Sequence, residues 1–279
     1  MTASSRQCAP APKKQTSKPF QPQKGSKTGR DRVLLAGLKQ KAFAPEAYHI
    51  SQLGQAFKEA AKTPQARTPT SHYGGSRSTV VNTHRCREKG SDAINHQFTT
   101  EGSLEPHFLK QCELDSSIEK TIAQAFTVDF GGYLGLGEFT VDYACFPRHG
   151  KPYAVDVKQK AVAESVEFAP LLAKRVKAFE DHGFELKIFT EDDIKKYPFY
   201  INILELYPCL DNEPRLLKRA LKKLKEALTQ AGGKAPLRVF NDLPPKDVKW
   251  ATAYGLYTGT FRTDHTQRFG SDFVIELEA

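Results

Sequence analysis

The segment YAVDVKQKA, residues 153–161, combines a strand-like pattern with two side chains of opposite charge. Val155 and Val157 alternate with other residues and predict a strand with one apolar face. Asp156 and Lys158 then share the opposite face, because side chains two residues apart on a strand point to the same side. A carboxylate beside an ammonium on such a strand indicates either a structural ion pair or a reaction site.

A second strand-like segment, FTVDYACF, precedes this one and is joined to it by a turn around His149. In a hairpin centred there, residues whose numbers add to about 298 face each other, so Asp142 lies opposite Asp156. Thr140 lies opposite Lys158 in the same register. Two facing carboxylates repel each other and destabilise a sheet. The pattern therefore predicts a hard divalent cation between them, Mg²⁺ or its substitute Mn²⁺.

Lys158 next to such a cation can orient or help to deprotonate a water molecule, or stabilise negative charge on a phosphate. This is the chemistry of phosphodiester hydrolysis. Glu105, in the segment EGSLEPHFL, lies early on a predicted helix and is a candidate third ligand. Two simpler interpretations stay open. Lys158 forms an ion pair with either aspartate on an exposed sheet face, and Glu105 interacts with the positive end of its helix.

The elements around these residues predict an α/β core. Ser103 is the predicted N-cap of a helix with apolar positions at Leu104, Phe108, Leu109 and Leu114. A second helix is predicted in AESVEFAPLLAKRVKAFEDHG, with Gly183 after its C-terminus and Pro170 as a point where it kinks or splits. FELKIFT is a further predicted strand. Strand, helix and strand in this order predict a crossover βαβ unit.

The order of these residues resembles the PD-(D/E)xK restriction-endonuclease-like pattern: a Glu on an early helix, an Asp on a strand, and (D/E/Q)-x-K on the next strand. The local sequence is more similar still to the TnsA-type endonuclease subunits of heteromeric transposases. GSLEPHFLKQCELDSSIEK resembles that family's segment with the catalytic Glu, FTVDYACF its Asp strand, and YAVDVKQKA its lysine strand. RVKAFEDHGFELKIFTEDDI resembles the helix, turn and strand that follow. The resemblance covers residues 98–197 and extends loosely into the C-terminal region.

This resemblance implies a restriction-endonuclease-like core, a mixed sheet flanked by helices, with a small C-terminal winged-helix-like domain. It implies an active site of Glu105, Asp142, Asp156 and Lys158, with Mg²⁺ held by the three carboxylates. Asp156 stands where the family often has Gln. The implied activity is metal-dependent cleavage of the 5′ strands at transposon ends in double-stranded DNA. The implied partners are a DDE transposase subunit and an AAA+ ATPase regulator.

Two other functions are compatible with the residues. One is a stand-alone nuclease, such as a restriction or repair enzyme or a junction resolvase. The other is a non-catalytic DNA-binding assembly subunit that keeps the fold. Retention of all four site residues favours an enzyme over the assembly subunit.

The chain of 279 residues carries a formal net charge of +9, which favours a polyanionic partner. Residues 1–30 contain seven Lys or Arg and no acidic residue, which predicts a disordered basic tail. Residues 31–97 are predicted as a helical and extended N-terminal extension, and residues 98–197 as the endonuclease core. The winged-helix-like domain is predicted over residues 198–279, with an amphipathic helix at 214–230 and a two-stranded wing near the C-terminus.

The five cysteines are dispersed and form no CxxC pair, which indicates a reducing compartment rather than a disulfide or zinc framework. No segment approaches about 18 consecutive apolar residues, so a membrane span and a membrane partner are not expected. The basic N-terminus is not followed by an apolar stretch, so a secretory signal is not expected either. These patterns predict a cytoplasmic protein.

Overall fold

The structure, a computed structural model, describes residues 45–62, 81–86, 96–101 and 104–278. The predicted basic tail at residues 1–30 and the predicted cap Ser103 lie outside the described residues.

The described elements are numbered along the chain. The strands are β1 (Ala47–His49), β2 (Val81–Cys86), β3 (His96–Glu101), β4 (Ile118–Ala123), β5 (Thr127–Asp129), β6 (Glu138–Thr140), β7 (Tyr143–Pro147), β8 (Tyr153–Val157), β9 (Glu185–Phe189), β10 (Lys234–Pro236), β11 (Phe261–Thr263) and β12 (Val274–Leu277). The α-helices are α1 (Leu53–Lys62), α2 (Glu105–Leu114), α3 (Lys160–Ala163), α4 (Ala169–Asp181), α5 (Glu191–Ile194), α6 (Phe199–Leu206), α7 (Pro214–Gln230) and α8 (Pro245–Thr258). Short 3₁₀ helices span Ile50–Gln52, Tyr133–Gly135, Tyr207–Asp211 and Leu237–Phe240.

A four-stranded mixed sheet in the order β4-β7-β8-β9 forms the centre of the fold. β7 is antiparallel to β4 and β8, whereas β9 is parallel to β8. The helices α3 and α4 connect the parallel pair, which confirms the predicted crossover unit. Pro170 lies in the first turn of α4, where its missing N–H costs no hydrogen bond, so the predicted long helix is split there. Gly183 follows α4 with a φ of 78°, as its predicted position requires.

A layer of helix covers each face of this sheet, because the strands alternate apolar side chains between the two faces. Val155 and Val157 of β8 belong to one buried cluster with Phe108 of α2. Ala154, which precedes Val155, belongs to another with Phe179 of α4. The result is the predicted α/β core, a mixed sheet flanked by helices.

Residues 45–62 pack into the same core. β1 pairs in parallel with β5, which pairs antiparallel with β6 in a small second sheet. Leu53 and Phe57 of α1 are buried with Phe126 and Phe179. The predicted boundary between residues 97 and 98 therefore does not separate these elements. The physical reason is that α1 can remove its apolar stripe from water only against the sheet.

In the C-terminal part, α6, α7 and α8 surround one buried cluster. The predicted amphipathic helix is confirmed as α7, with Leu217, Leu224 and Leu228 fully buried. The predicted two-stranded wing is wrong in its strand number, since β10, β12 and β11 form a three-stranded antiparallel sheet. Residues 234–236 form the additional strand by pairing with β12.

This part of the chain also contacts α2 of the core. Leu114, the last residue of α2, belongs to the C-terminal cluster. The hydroxyl of Tyr207 donates a hydrogen bond to Oε2 of Glu113 at 2.5 Å. Of the helices within the described ranges, none has both the length and the apolar composition needed to span a membrane.

Candidate active site

Asp142 lies where the chain passes from the small β1-β5-β6 sheet to the central sheet. β6 ends at Thr140, which pairs with Thr127 of β5. β7 begins at Tyr143, so FTVDYACF is two short strands rather than one. The N–H of Gln124 donates a hydrogen bond to the carbonyl oxygen of Asp142 at 2.7 Å, which anchors the backbone at this transition.

The predicted hairpin register is confirmed for the pairs Tyr143↔Val155, Ala144↔Ala154 and Cys145↔Tyr153. One further step in this register brings Asp142 next to Asp156. The predicted pairing of Thr140 with Lys158 is wrong, because the chain has left the central sheet by that residue and Thr140 belongs to β6.

The Asp142 carboxylate is held by the neighbouring strand. Its Oδ2 accepts a hydrogen bond from the N–H of Val157 at 2.7 Å and lies 3.3 Å from Nζ of Lys158. A side chain thus takes the place of a backbone acceptor at the end of the β7–β8 ladder. This hydrogen bond determines where the carboxylate points.

Lys158 directly follows β8 and bridges the two aspartates. Its N–H donates to the carbonyl oxygen of Phe189 at 2.9 Å, which continues the pairing with β9. Its ammonium contacts Oδ2 of Asp142 and Oδ1 of Asp156. The predicted ion pair is therefore observed and involves both aspartates rather than one, but the face is not exposed, because Asp156 is fully buried.

Arg175 of α4 is a fourth charged residue at this cluster that the sequence interpretation missed. Its Nη1 lies 3.8 Å from Oδ2 of Asp156, and its guanidinium lies over the ring of Phe139 at 4.2 Å. Arg175 is three residues after Leu172 and four before Phe179, both buried. A cationic residue at these spacings falls on the apolar stripe of an amphipathic helix, and this signal was present in the sequence.

The charges and the burial in this cluster shift the pKa of the Asp156 carboxyl group. The Asp156 side chain is fully buried, and this burial together with the charge of Asp142 raises its pKa to about 7, although Lys158 acts in the opposite direction. Burial alone would lower the pKa of Lys158, but Asp142 and Asp156 outweigh it and the pKa is raised. Lys158 therefore stays protonated at neutral pH, while Asp156 is close to its titration midpoint.

Glu105 is not brought into this cluster. It lies in the first turn of α2, and its carbonyl oxygen accepts a hydrogen bond from the Tyr143 hydroxyl at 3.2 Å. α2 covers the sheet face of Val155, whereas Asp156 alternates to the other face. Within the described ranges, no three His, Cys, Asp or Glu side chains are grouped so that they could hold a metal ion. The ligand set of Glu105, Asp142 and Asp156 is thus not assembled in this structure.

The two aspartates by themselves fit a hard divalent cation. Oδ2 of Asp156 is buried and has no hydrogen-bond partner within the described residues, so one carboxylate oxygen remains available as a ligand. Mg²⁺ is usually bound through one or two carboxylates, with water and substrate phosphates completing its shell. A pair of aspartates beside a lysine is therefore a donor set that could hold such a cation next to a phosphate.

No protein-family model matches this chain, and the comparison with curated proteins finds no significant match. The assignment of a function therefore rests on the residues and their geometry.

Proposed function

We propose that this chain is a metal-dependent DNA endonuclease with Asp142, Asp156 and Lys158 as its reacting residues. One observation carries this proposal: the Lys158 ammonium contacts the carboxylate of Asp156 on β8 and that of Asp142, which directly precedes β7. Phosphodiester hydrolysis needs oxygen ligands for a cation and a positive group beside the phosphate. The chain's positive charge favours a nucleic-acid substrate.

Each residue has a distinct role in the proposed reaction. Asp142 and Asp156 would hold Mg²⁺ or Mn²⁺, which when bound supplies positive charge at the phosphate and acidifies water. The hydrogen bond from Val157 keeps the Asp142 carboxylate in position before substrate arrives. Lys158 orients the attacking water and donates hydrogen bonds to phosphate oxygens as their negative charge increases. Glu105 belongs to the proposed site only through the family resemblance.

The proposal extends to a biological role through the same resemblance. The chain would cut the 5′ strands at transposon ends, with a DDE transposase cutting the 3′ ends and an AAA+ ATPase regulating the assembly. The winged-helix-like domain belongs to this finer proposal. It is supported by the three helices and the small antiparallel sheet of the C-terminal part.

The test is a cleavage assay with end-labelled duplex DNA, Mg²⁺ or Mn²⁺, and a chelator control. Wild type is compared with Lys158→Ala and with a matched control, Lys160→Ala. Lys160 lies two residues away and pairs with the exposed Asp192 at 2.6 Å, outside the aspartate pair. We expect metal-dependent cleavage by wild type and Lys160→Ala, and a loss of about 100-fold or more in Lys158→Ala with DNA binding retained.

The cut positions distinguish the alternatives. Cleavage of 5′ strands at transposon ends, dependent on an added transposase, supports the transposition role. Cleavage by the purified chain alone supports a stand-alone nuclease. DNA binding without cleavage, in the presence and absence of a transposase, would contradict the enzyme and leave the assembly subunit.

A further inference from the structure

Arg175 is held next to the aspartate pair without a hydrogen bond to it. The 3.8 Å from its Nη1 to Oδ2 of Asp156 is an ion-pair distance, longer than the 2.7–2.9 Å typical of a charge-assisted hydrogen bond. The structure gives Arg175 no hydrogen bond to any described residue. Asp156 does not use Oδ2 as an acceptor either, within the same part of the chain. The Arg175 guanidinium and the Asp156 carboxylate therefore attract each other by charge, but no N–H of Arg175 donates a hydrogen bond to Oδ2 of Asp156.

The Arg175 side chain is held in position by its surroundings, although its guanidinium forms no hydrogen bond with the described residues around it. Its side chain is 15% exposed and lies on the ring of Phe139, which limits its movement. Burial lowers its pKa from the ordinary arginine value, while Asp156 and Asp142 partly oppose this effect. An arginine stays protonated at neutral pH even so. The site therefore contains a pre-positioned cation with five N–H donors and unmet hydrogen-bonding capacity.

The two cations flank Asp156 from different sides. Lys158 contacts Oδ1 of this carboxylate, whereas Arg175 approaches Oδ2. If Arg175 only neutralised Asp156, a bidentate pairing with both carboxylate oxygens would be the favourable geometry. Lys158 already occupies Oδ1, so the guanidinium keeps its fork of donors for another anion. A planar fork of this kind matches the oxygens of a phosphate.

We propose that Arg175 is a catalytic residue that binds a phosphate of the DNA strand being cut, with Phe139 as the platform that orients its guanidinium. This inference rests on the proposed function and deepens it. It adds to the aspartates and Lys158 a residue from α4, on the helix layer opposite to Glu105. On binding DNA, the Arg175 guanidinium would form paired N–H···O hydrogen bonds with the phosphate, in place of its ion pair with Asp156 that has no hydrogen bond.

The test measures DNA binding as a function of salt, separately from cleavage, with Ca²⁺ in place of Mg²⁺. Arg175→Gln removes the charge and keeps much of the side-chain stem, and Arg175→Lys keeps the charge without the planar fork. The matched control is Lys177→Gln, on the same helix, since Lys177 is exposed and pairs with Asp181 at 3.0 Å. Thermal melts establish that each variant is folded.

We expect Arg175→Gln to weaken duplex binding about 10-fold. The slope of log affinity against log salt should fall by about 0.9, the value for one lost phosphate contact. Arg175→Lys should keep the slope and lose affinity, and Lys177→Gln should behave as wild type. A folded Arg175→Gln with wild-type affinity and slope would overturn the inference. If Arg175→Gln does not fold, wild-type affinity in Arg175→Lys would overturn it.

The failure of this inference can be told apart from the failure of the proposed function. Metal-dependent cleavage by wild type, with unchanged binding by the Arg175 variants, rejects only the role of Arg175. Duplex binding that depends on Arg175, without cleavage under any condition, rejects the nuclease and keeps the phosphate contact. A wild-type chain that neither binds nor cuts DNA rejects both.

Discussion

Nζ of Lys158 lies 3.3 Å from Oδ2 of Asp142, although the two residues are 16 positions apart in the sequence. The β7–β8 hairpin causes this proximity, since its register aligns the end of one strand with the start of the other. The same ammonium contacts Asp156 on its own strand. One lysine therefore offsets the repulsion between two carboxylates that the hairpin brings together.

Asp142 has a structural role and a proposed metal-binding role, and two substitutions separate them. Asp142→Ala leaves the N–H of Val157 without its acceptor, so unfolding free energy should fall by about 1–3 kcal/mol. Asp142→Asn keeps an acceptor oxygen, so its unfolding free energy should fall less than that of Asp142→Ala. Thermal melts with increasing Mn²⁺ and a short duplex should show a metal-dependent rise in wild type and in neither variant. An equal rise in wild type and Asp142→Ala would assign the carboxylate to the structural role alone.

The stability of the metal-free protein should depend on pH through Asp156. Its folded-state pKa of about 7 is above the ordinary value of 3.8, so the native state binds this proton more tightly than the unfolded state. The resulting stabilisation is complete below about pH 4 and is lost as the pH rises to about 7. Asp156→Asn does not titrate. Urea unfolding in chelator should show wild type losing about 1–3 kcal/mol relative to Asp156→Asn between pH 5 and pH 8. Parallel pH profiles would show that Asp156 stays ionised.

The family resemblance implies that Glu105 is a metal ligand, whereas the structure does not group it with the two aspartates. Because Glu105 is not grouped with the aspartates, Glu105→Ala should keep the full Mn²⁺-dependent rise in melting temperature. Asp142→Ala in the same assay provides the reference for complete loss. If Glu105→Ala also loses the rise, the N-terminus of α2 must move towards the aspartates when metal and DNA bind.

Gly259 should tolerate a side chain less well than a glycine with open space around it. It ends α8 with a φ of 69°, and a Cβ there would overlap the guanidinium of Arg148. Gly232, which follows α7 with a φ of 87°, has no atom within 4 Å of such a Cβ and serves as the control. Gly232→Ala should cost about 1 kcal/mol in unfolding free energy, from backbone strain alone.

Gly259→Ala should cost up to about 1 kcal/mol more, because the Arg148 guanidinium must shift away from the carbonyl oxygen of Ser116, to which it donates a hydrogen bond at 2.8 Å. Chemical denaturation measures both values. The double variant Gly259→Ala with Arg148→Ala should recover part of the difference. Equal costs at the two glycines would show that Arg148 moves away without penalty.

Local patterns were sufficient to predict several elements of this fold. The apolar alternation of β8 and the leucine stripe of α7 follow from spacing, because each is a short-range periodicity. The crossover around α4 follows from the order of strand, helix and strand. The hairpin register followed from one turn and placed Asp142 beside Asp156. Side-chain period and turn position determine register in a two-stranded unit.

Other features depend on contacts between segments that are distant in the sequence. The chain leaves the central sheet at Val141 because β6 pairs with β5, and no local signal reports that pairing. Packing of α1 against the sheet likewise involves residues more than 60 positions away, such as Phe126.

Residue type and strand period are local properties, so the chemical groups of the candidate site and the alignment of the two aspartates could be predicted from the amino-acid sequence. Which of these groups meet depends on how the helices pack on the sheet. The tertiary structure places Glu105 on a helix that covers the other face of the sheet, and it brings Arg175 to Asp156 through the packing of α4. A helix has a defined position relative to a sheet only after their apolar surfaces have packed, and sequence spacing does not report that packing.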